Sequence, residues 1–294
     1  MSFCDICPRR CPVDRTRESG FCGAEPVPRI ARTMLHLWEE PPISAKRGAG
    51  AVFFSGCNLR CVFCQNSDIS ARICGKPMDA EALCELFFRL EEKGAHNVDL
   101  VTPTPHARTI AAAMEMARSR GLKIPFAWNS NAYENVGMLK ELAGLVDVYL
   151  PDLKYVSPQL SKQYSGAADY FEVAKEAILE MAGQTGPLTV NGEGAAVKGT
   201  IVRHLVLPGC IDDARKVIDF VADNLENSVY LSLMRQYTPM YKAMNMPFLN
   251  RKLTAREYER AVEYALSRGL TNVFLQKGGS ADAAFTPDFD GSLF

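Results

Sequence analysis

Several features that send a protein to a membrane or to nucleic acid are missing from this sequence of 294 residues. No amino-terminal stretch combines basic, apolar and small residues as a secretory signal does, and no apolar run is long enough to span a bilayer. The formal net charge of −1 provides no basic field for nucleic acid. We therefore expect a cytoplasmic, globular protein that has neither a membrane nor a nucleic acid as its partner.

Cysteine, by contrast, is abundant, with ten residues in the chain. Most of them fall in two clusters, the first formed by Cys4, Cys7, Cys11 and Cys22 and the second by Cys57, Cys61 and Cys64. In a reducing compartment, clustered cysteines are more often metal ligands or catalysts than disulfides. The other three cysteines stand apart and are expected to be small buried apolar residues.

Short β-rich runs alternate with amphipathic stretches along most of the chain. The candidate strands are residues 51–56, 98–104, 125–129, 147–153, 199–207 and 228–234, with a later run at 272–276. The candidate helices are residues 80–93, 108–120, 136–145, 170–182, 212–225 and 254–267. This alternation predicts an α/β fold with a parallel sheet, either doubly wound or a complete or partial (β/α) barrel. Both architectures place function at the carboxyl ends of the strands.

Two domains and two irregular segments are predicted around this alternation. Residues 1–45 form a cysteine-rich amino-terminal segment, and residues 46–294 form the α/β domain with a carboxyl-terminal extension. Residues 184–197, rich in Gly and Thr, predict a surface excursion. Residues 234–253 predict a long loop, which at the carboxyl end of a strand is often a lid or binding loop.

The strongest signal follows the first candidate strand, where Cys57, Cys61 and Cys64 lie within eight residues. A cubane iron–sulfur cluster normally takes four cysteines, one for each iron, so three on one loop would leave one iron open. Tetrahedral zinc prefers a fourth protein ligand, and none is obvious nearby. The triplet therefore favours a cubane [4Fe–4S] cluster with one open iron over a zinc site or a coincidental spacing.

This triplet, spaced Cys-x3-Cys-x2-Cys with Gly56 before it and Phe63 before its third cysteine, resembles the cluster loop of the radical S-adenosylmethionine (SAM) superfamily. The resemblance implies a partial (β/α)6 TIM-like barrel and SAM chelated to the open iron. It also implies an oxidoreductase that cleaves SAM reductively to a 5′-deoxyadenosyl radical, which takes a hydrogen atom from substrate. A low-potential donor such as flavodoxin or ferredoxin would supply the electron.

Other segments resemble the pyruvate formate-lyase activating enzymes, and most closely the group of iron–sulfur proteins called PflX. The matching segments are residues 38–44, 53–57, 64–66, 102–106, 152–154 and 234–239. The activating enzymes hold the SAM amino group with a Gly-Gly-Glu-Pro stretch, whereas this sequence has Thr102–His106 at that place. The acidic residue of that stretch is therefore missing here.

The resemblance also implies the roles of individual residues near the strand ends. The residues implied to bind SAM are Thr104, Asn129, Ser130, Asn131, Asp152, Lys154 and His204. His106 and Lys154 are implied to be catalytic, with His106 facing the substrate and Lys154 meeting the SAM carboxylate. The alternatives are an ordinary Asn/Ser turn, a surface ion pair at Asp152 and Lys154, and structural histidines.

The amino-terminal cysteines Cys4, Cys7, Cys11 and Cys22 form a second metal-like pattern. Zinc would make a closed structural knuckle, an auxiliary iron–sulfur cluster would offer an electron relay, and the third alternative is that no stable metal is bound. Arginines 9, 10, 15 and 17 make this segment basic, so they are either solvated or dock an acidic partner.

Three functions compete at this point. An activase-like enzyme would abstract hydrogen from a partner protein, and a wide opening rimmed by exposed apolar residues would favour it. An enzyme acting on a small molecule or short peptide would be favoured by a deep, closed cavity. A non-catalytic metal-binding regulatory protein would keep the barrel and cleave no SAM.

Overall fold

One sheet of ten strands organises the computed structural model of the chain, which describes residues 4–225, 228–276, 287 and 289–293. The strands are β1 Arg29–His36, β2 Ala49–Phe54, β3 Lys76–Pro77, β4 Val98–Val101, β5 Phe126–Ser130, β6 Val148–Pro151, β7 Thr189–Val190, β8 Ala196–Leu205, β9 Tyr230–Met234 and β10 Val273–Leu275. Their order is β10-β9-β8-β6-β5-β4-β2-β1-β3, and β7 pairs with β8. The path from β2 to β10 is parallel, whereas β1, β3 and β7 pair antiparallel.

Helices connect the parallel strands. They are α1 Pro41–Ser44, α2 Ser67–Ser70, α3 Ala80–Glu92, α4 Ala107–Ser119, α5 Val136–Glu141, α6 Pro158–Ser165, α7 Tyr170–Thr185, α8 Ile211–Asn224 and α9 Ala255–Ser267. The side chain of Asp79 caps α3, and Thr254 with Glu257 forms a capping box at the start of α9. Among the described residues, no helix has both the length and the apolar character needed to cross a membrane.

The central strands are buried on both faces. Every residue of β2, β4, β5 and β6 is buried, as expected where helices cover a parallel sheet. Trp128 and Tyr149, on neighbouring strands, are among the largest fully buried side chains of the described residues. This mostly parallel α/β arrangement confirms the predicted fold class and is consistent with a partial TIM-like barrel.

The predicted boundary at residue 45 lies between the paired strands β1 and β2. Strand β1, which the sequence pattern did not reveal, pairs with β2 from the Ile30–Phe54 pair to the His36–Ala49 pair. Residues 29–36 of the predicted amino-terminal segment therefore pair with the sheet, and the division of the chain at residue 45 stays a prediction.

The two irregular segments also contain regular structure. The segment 184–197 includes the end of α7, all of β7 and the start of β8. The segment 234–253 is mostly a loop, as predicted, and contains one 3-10 turn at Tyr241–Asn245. A helix that the sequence prediction missed, α6, begins at Pro158 behind the capping side chain of Ser157.

Candidate active site

A cavity of about 240 Å³ opens at the carboxyl ends of the parallel strands. Residues that end or directly follow β2, β4, β5, β6, β8 and β9 line it. Its polar and sulfur-bearing lining residues include Glu39, Cys57, Cys61, Cys64, Asn129, Ser130, Asn131, Asp152, Lys154 and Arg203. This is the edge of a parallel α/β sheet at which function is expected.

The cysteine loop leaves β2 through Gly56, which has a φ of 91°. This left-handed conformation favours glycine, and a Cβ atom here would lie 3.0 Å from the carbonyl oxygen of Cys22. The turn at Gly56 brings Cys57, Cys61 and Cys64 into the lining of the same cavity. The sequence prediction placed these three thiols together, and the structure does so as well.

Each of the three thiols has polar neighbours. The Cys57 sulfur accepts hydrogen bonds from Leu59 N and Asn131 Nδ2, both at 3.4 Å, and the sulfurs of Cys61 and Cys64 lie 3.0 Å and 3.4 Å from Ser165 Oγ and Ser70 Oγ. Burial and the neighbouring thiols raise the pKa of Cys57 to about 12 and that of Cys64 to about 11. A metal that binds these sulfurs as thiolates must therefore displace their protons.

A cluster and a single ion make different demands on the three sulfurs. Among the described residues, no three Cys, His, Asp or Glu side chains are arranged to hold one metal ion. In a cubane, each thiolate binds a different iron, so the sulfurs need only border one cavity. The described lining contains no fourth cysteine, which would leave one iron for a ligand from the cavity.

A buried network of charges faces the cysteines across the cavity. The Arg203 guanidinium donates to Asp152 Oδ1 at 2.9 Å, to Glu39 Oε2 at 3.0 Å and to Asn129 Oδ1 at 2.6 Å. Lys154 Nζ donates to Asp152 Oδ2 at 2.7 Å. Burial opposes ionisation of Asp152, but Arg203 and Lys154 outweigh it and lower the pKa of this carboxyl. Asp152 therefore stays ionised beside the cavity.

Two further acids lie behind this network. Burial, strengthened by the charge of Glu39, raises the pKa of Glu40 to about 7, although Arg203 opposes the shift. Burial raises the pKa of Asp99 well above its usual value. Burial and the neighbouring charge of Glu39 thus favour the protonated form of Asp99.

Five of the predicted SAM-binding residues line the cavity, namely Asn129, Ser130, Asn131, Asp152 and Lys154. The Asn131 side chain donates to the Cys57 sulfur and to Asn58 Oδ1 at 2.8 Å, so it connects the β5 edge with the cysteine loop. The Ser130 hydroxyl donates to Glu134 Oε2 at 2.6 Å. The structure thus brings together the residues that were predicted after β5 and β6.

The other predicted residues, Thr104, His106 and His204, are not part of the described lining of the cavity. Thr104 is buried and donates to Glu134 Oε1 at 2.9 Å. Burial lowers the pKa of His106 to about 3, so this histidine is neutral, and its ring lies beside Phe54. The Nδ1 atom of His204 is hydrogen-bonded to the carbonyl oxygen of Leu153 at 2.8 Å.

The local backbone explains these placements. The 3-10 turn Thr104–His106 buries its side chains beneath the rim instead of presenting them to the cavity. Successive side chains on a strand point to opposite faces, so on β8 it is Arg203 that lines the cavity and not His204. The substrate-facing role predicted for His106 and the SAM contacts predicted for Thr104 and His204 therefore gain no support from the geometry.

Sequence reasoning missed Glu39 and Arg203 as site residues. Glu39 comes from the segment between β1 and α1, far from the predicted strand ends, and its side chain is 15% exposed. Arg203 directly precedes His204 in β8 and was given no role in the site. Acids ahead of a helix are ordinary because they complement the helix dipole, so Glu39 and Glu40 before Pro41 gave no signal of a site.

The amino-terminal cysteines surround a second, smaller cavity. Cys4, Cys7, Cys11 and Cys22 line it together with Arg15 and Asn58, among others. All ten cysteines of the chain lie in its described part, and each is a free thiol. The predicted grouping of these four cysteines is therefore present in the structure.

Comparison with known proteins identifies the family. The family model for the radical SAM superfamily matches residues 51–194. Uncharacterized proteins MJ0674 and MJ0808 of Methanocaldococcus jannaschii are 34% and 26% identical to this chain, covering 92% of it in both cases and 76% and 80% of their own lengths.

A solved structure shares the fold. SuiB of Streptococcus suis, bound to S-adenosylmethionine, superposes with a TM-score of 0.53 at 15% identity over 76% of this chain and 49% of its own. This chain therefore spans about half the length of SuiB, and the likeness concerns the fold alone. The family match, the fold and the placement of the cavity agree with one another. This chain belongs to the radical SAM superfamily of enzymes, whose members use S-adenosylmethionine with a [4Fe–4S] cluster.

Proposed function

We propose that this chain is a cytoplasmic radical SAM oxidoreductase that carries its [4Fe–4S] cluster on Cys57, Cys61 and Cys64. The observation that carries the proposal is that these three free thiols line the same cavity as the charged residues at the strand ends. When bound, the cluster supplies the electron that cleaves SAM to methionine and a 5′-deoxyadenosyl radical, which abstracts hydrogen from the substrate. Ten free thiols also suit a reducing compartment.

The charged network provides groups of both signs for SAM. Glu39 and Asp152 offer carboxylates to the amino group, and Glu39 thereby replaces the acid that Thr102–His106 lacks. Lys154 offers an ammonium to the SAM carboxylate, and its side chain is 18% exposed, which leaves it accessible from the cavity. The amides of Asn129 and Asn131 suit the ribose hydroxyls.

The substrate is a protein or peptide segment that meets the radical at the mouth of the cavity. A cavity of about 240 Å³ is small for SAM and a second ligand, since ligand pockets usually span about 300–1,000 Å³. Two segments border the opening, residues 38–44 and residues 234–253, and both carry exposed apolar side chains. Trp38 is 61% exposed, Met244 58% and Phe248 80%. Such side chains suit a macromolecular partner.

The segment that carries Met244 and Phe248 is fixed to the cysteine loop. Ala243 N donates to Val62 O at 2.8 Å, and the rings of Phe63 and Tyr237 pack edge to face with centroids 6.0 Å apart. A partner that binds this segment would therefore lie beside the cluster. SuiB, which shares the fold, has been solved bound to the precursor peptide SuiA, so such a fold can hold a peptide.

The functional analogues that we propose are the pyruvate formate-lyase activating enzymes and the PflX group. Support comes from the segments 38–44, 64–66 and 152–154, which meet at the cavity. An external low-potential donor, such as flavodoxin or ferredoxin, would reduce the cluster. A small-molecule substrate or a non-catalytic regulatory role are the competing functions, and the following experiment separates catalysis from regulation.

The test is anaerobic reconstitution with iron and sulfide, followed by addition of SAM and dithionite and measurement of 5′-deoxyadenosine by liquid chromatography. The wild-type chain is expected to form 5′-deoxyadenosine and methionine in equal amounts, because one cleavage yields both. Cys57→Ala, Cys61→Ala and Cys64→Ala are each expected to abolish the product. The matched control, Cys210→Ala, removes a half-buried thiol outside both clusters and should retain activity. A loaded wild-type chain that forms no product would refute the proposal and favour the regulatory role.

A further inference from the structure

The second cavity presents an all-sulfur donor set. The four cysteines that line it share the space with Ile6, Arg9, Arg15, Gly20, Asn58 and Pro105, and the described lining contains no Asp, Glu or His. Cys7 and Cys22 are buried, whereas Cys4 and Cys11 are partly exposed. Soft thiolate ligands without oxygen donors select zinc, copper(I) or iron–sulfur clusters.

Arg15 places a positive charge against these sulfurs. Its Nη1 atom lies 3.8 Å from the Cys22 sulfur and 4.0 Å from the Cys4 sulfur. Its Nη2 atom donates to the carbonyls of Glu25 and Pro105, both at 3.2 Å, so the guanidinium is held in place. A fixed cation beside neutral thiols would gain little, whereas beside thiolates bound to a metal it offsets the negative charge.

The backbone is shaped closely around Cys11. Phe21 N donates to the Cys11 sulfur at 3.3 Å, and Cys4 N donates to the Cys11 carbonyl at 2.9 Å. A Cβ atom on Gly20 would lie 2.9 Å from the Cys11 sulfur, so any larger residue would displace this sulfur. Backbone N–H groups directed at sulfur are typical of thiolates that hold iron–sulfur clusters.

The second cavity lies directly against the cysteine loop of the first. Cys57 N donates to Cys22 O at 3.3 Å, which joins the two cysteine clusters through one backbone hydrogen bond. Arg9 Nε donates to Asn58 O at 3.0 Å, and the Arg9 guanidinium stacks on the Phe21 ring at 4.0 Å. Asn58 is thus shared by the surroundings of both groups of sulfurs.

The likeness of these four cysteines to the triplet Cys57, Cys61 and Cys64 favours a cluster over zinc. Structural zinc needs four ligands that converge on one ion. Among the described residues, no three of the four thiols are arranged in that way, yet all four border one cavity. Like Cys57, Cys61 and Cys64, these four thiols border one cavity without being arranged around a single ion. We infer that Cys4, Cys7, Cys11 and Cys22 bind an auxiliary iron–sulfur cluster of the [4Fe–4S] class, fully ligated by protein.

This inference is independent of SAM cleavage, and its test counts metal in a chain that lacks the first site. The triple variant Cys57→Ala, Cys61→Ala, Cys64→Ala is purified without oxygen and analysed for iron, acid-labile sulfide and zinc. We expect about four iron and four sulfide per chain, half of the wild-type content, and an electron paramagnetic resonance signal after reduction. Adding Cys11→Ala to the triple variant should remove this iron, whereas adding Cys210→Ala should not.

Arg15→Gln on the same background gives a readout that a purely structural role would not move. Loss of the cation should shift the reduction potential of the remaining cluster to more negative values, because the reduced cluster carries the larger negative charge. If the triple variant holds one zinc and no iron, or no metal at all, the inference is overturned. Should the triple variant not fold, the wild-type count decides instead, since about four iron per chain rather than about eight would also refute a second cluster.

Discussion

Glu39 is the residue whose replacement tests the SAM contacts most specifically. Because a hydrogen bond to a charged group contributes about 1.5–3 kcal/mol, Glu39→Gln should weaken SAM binding to the loaded enzyme about tenfold or more. The dissociation constant can be measured by anaerobic calorimetry. Glu40→Gln is the matched control, since Glu40 is the adjacent acid but does not line the cavity, and it should change the constant far less. Equal weakening in both variants would contradict a direct contact by Glu39.

Glu40 should make the stability of the chain depend on pH. Its carboxyl holds a proton up to about pH 7 when folded, against 4.5 for an ordinary glutamate, so the folded chain binds this proton more tightly than the unfolded chain. The contribution of Glu40 to the free energy of unfolding is therefore complete below pH 4.5 and is lost as the pH rises to about 7. The loss is on the order of 3 kcal/mol.

Urea unfolding at pH 5 and pH 8 measures this effect. Glu40→Gln should show a smaller drop in stability between the two pH values than the wild type. Glu115→Gln, which alters an exposed glutamate on α4, should follow the wild type. A Glu40→Gln chain that loses as much stability as the wild type would show that Glu40 does not hold this proton.

At the residue scale, the sequence predicted the groups that neighbour each other along the chain. The spacing of Cys57, Cys61 and Cys64 was sufficient, because one turn brings them together. Arg203 and Glu39 were missed, since their ion pair joins residues 164 positions apart in sequence. The direction of a side chain in a 3-10 turn, as at His106, also depends on packing that no local pattern specifies.

The turn between β2 and the cysteine loop offers a test at the scale of elements. Gly56→Ala forces alanine into a left-handed conformation, which costs about 1–2 kcal/mol, and adds contacts of 3.0 Å to Cys22 O and 3.2 Å to Ala24 Cβ. Gly94→Ala imposes a similar φ of 82° with no atom within 4 Å of the new Cβ. We expect Gly56→Ala to be the more destabilised of the two in urea and to bind less iron.

Equal stability and equal iron content in these two variants would contradict the idea that close packing against Cys22 shapes the loop. Such a result would leave backbone conformation alone as the role of Gly56.

At the scale of elements, periodicity predicted the strands and helices that pack in the core. The strand–helix alternation located β2, β4, β5, β6, β8 and β9, because these strands are apolar runs between amphipathic helices. Strand β1 was not predicted, because its sequence contains Arg29, Arg32 and His36. It also pairs antiparallel with β2, outside the alternation of parallel strands and helices. Helix α6 was missed because its eight polar-rich residues carry little hydrophobic signal.

At the scale of the whole molecule, two tryptophans can report whether the amino-terminal residues and the sheet unfold together. Trp38 lies within the predicted amino-terminal unit, and Trp128 lies in β5 at the centre of the sheet. Because β1 is continuous with the sheet, both should unfold in one transition. We expect the fluorescence of Trp38→Phe and of Trp128→Phe to change together with the circular dichroism of the same variant during urea unfolding.

A Trp38 signal that changes well before the circular dichroism of the Trp128→Phe variant would instead support a separate unit ending at residue 45. A modest shift of both transitions in Trp128→Phe is expected in either case, because Trp128 Nε1 donates to Glu134 Oε1 at 3.0 Å.

At the scale of the whole molecule, fold class and the edge that carries the site could be predicted from the order of elements. Strands that alternate with helices must form a parallel sheet, and their carboxyl ends must share one edge. The division at residue 45 stays a prediction, because the pairing of β1 with β2 is set by tertiary packing that the sequence pattern does not specify. The position of the amino-terminal cysteines against Cys57 likewise depends on contacts distant in sequence.

The central claim is that Cys57, Cys61 and Cys64 hold a cubane whose fourth iron is open to SAM. Electron–nuclear double resonance on the reduced protein, with SAM labelled by ¹⁵N in its amino group and ¹⁷O in its carboxylate, tests it most directly. We expect both labels to couple to the cluster spin in the wild type and in Cys210→Ala, and we expect Cys57→Ala to abolish the coupling. A loaded cluster that shows no coupling to either label, or a site that contains only zinc, would contradict it.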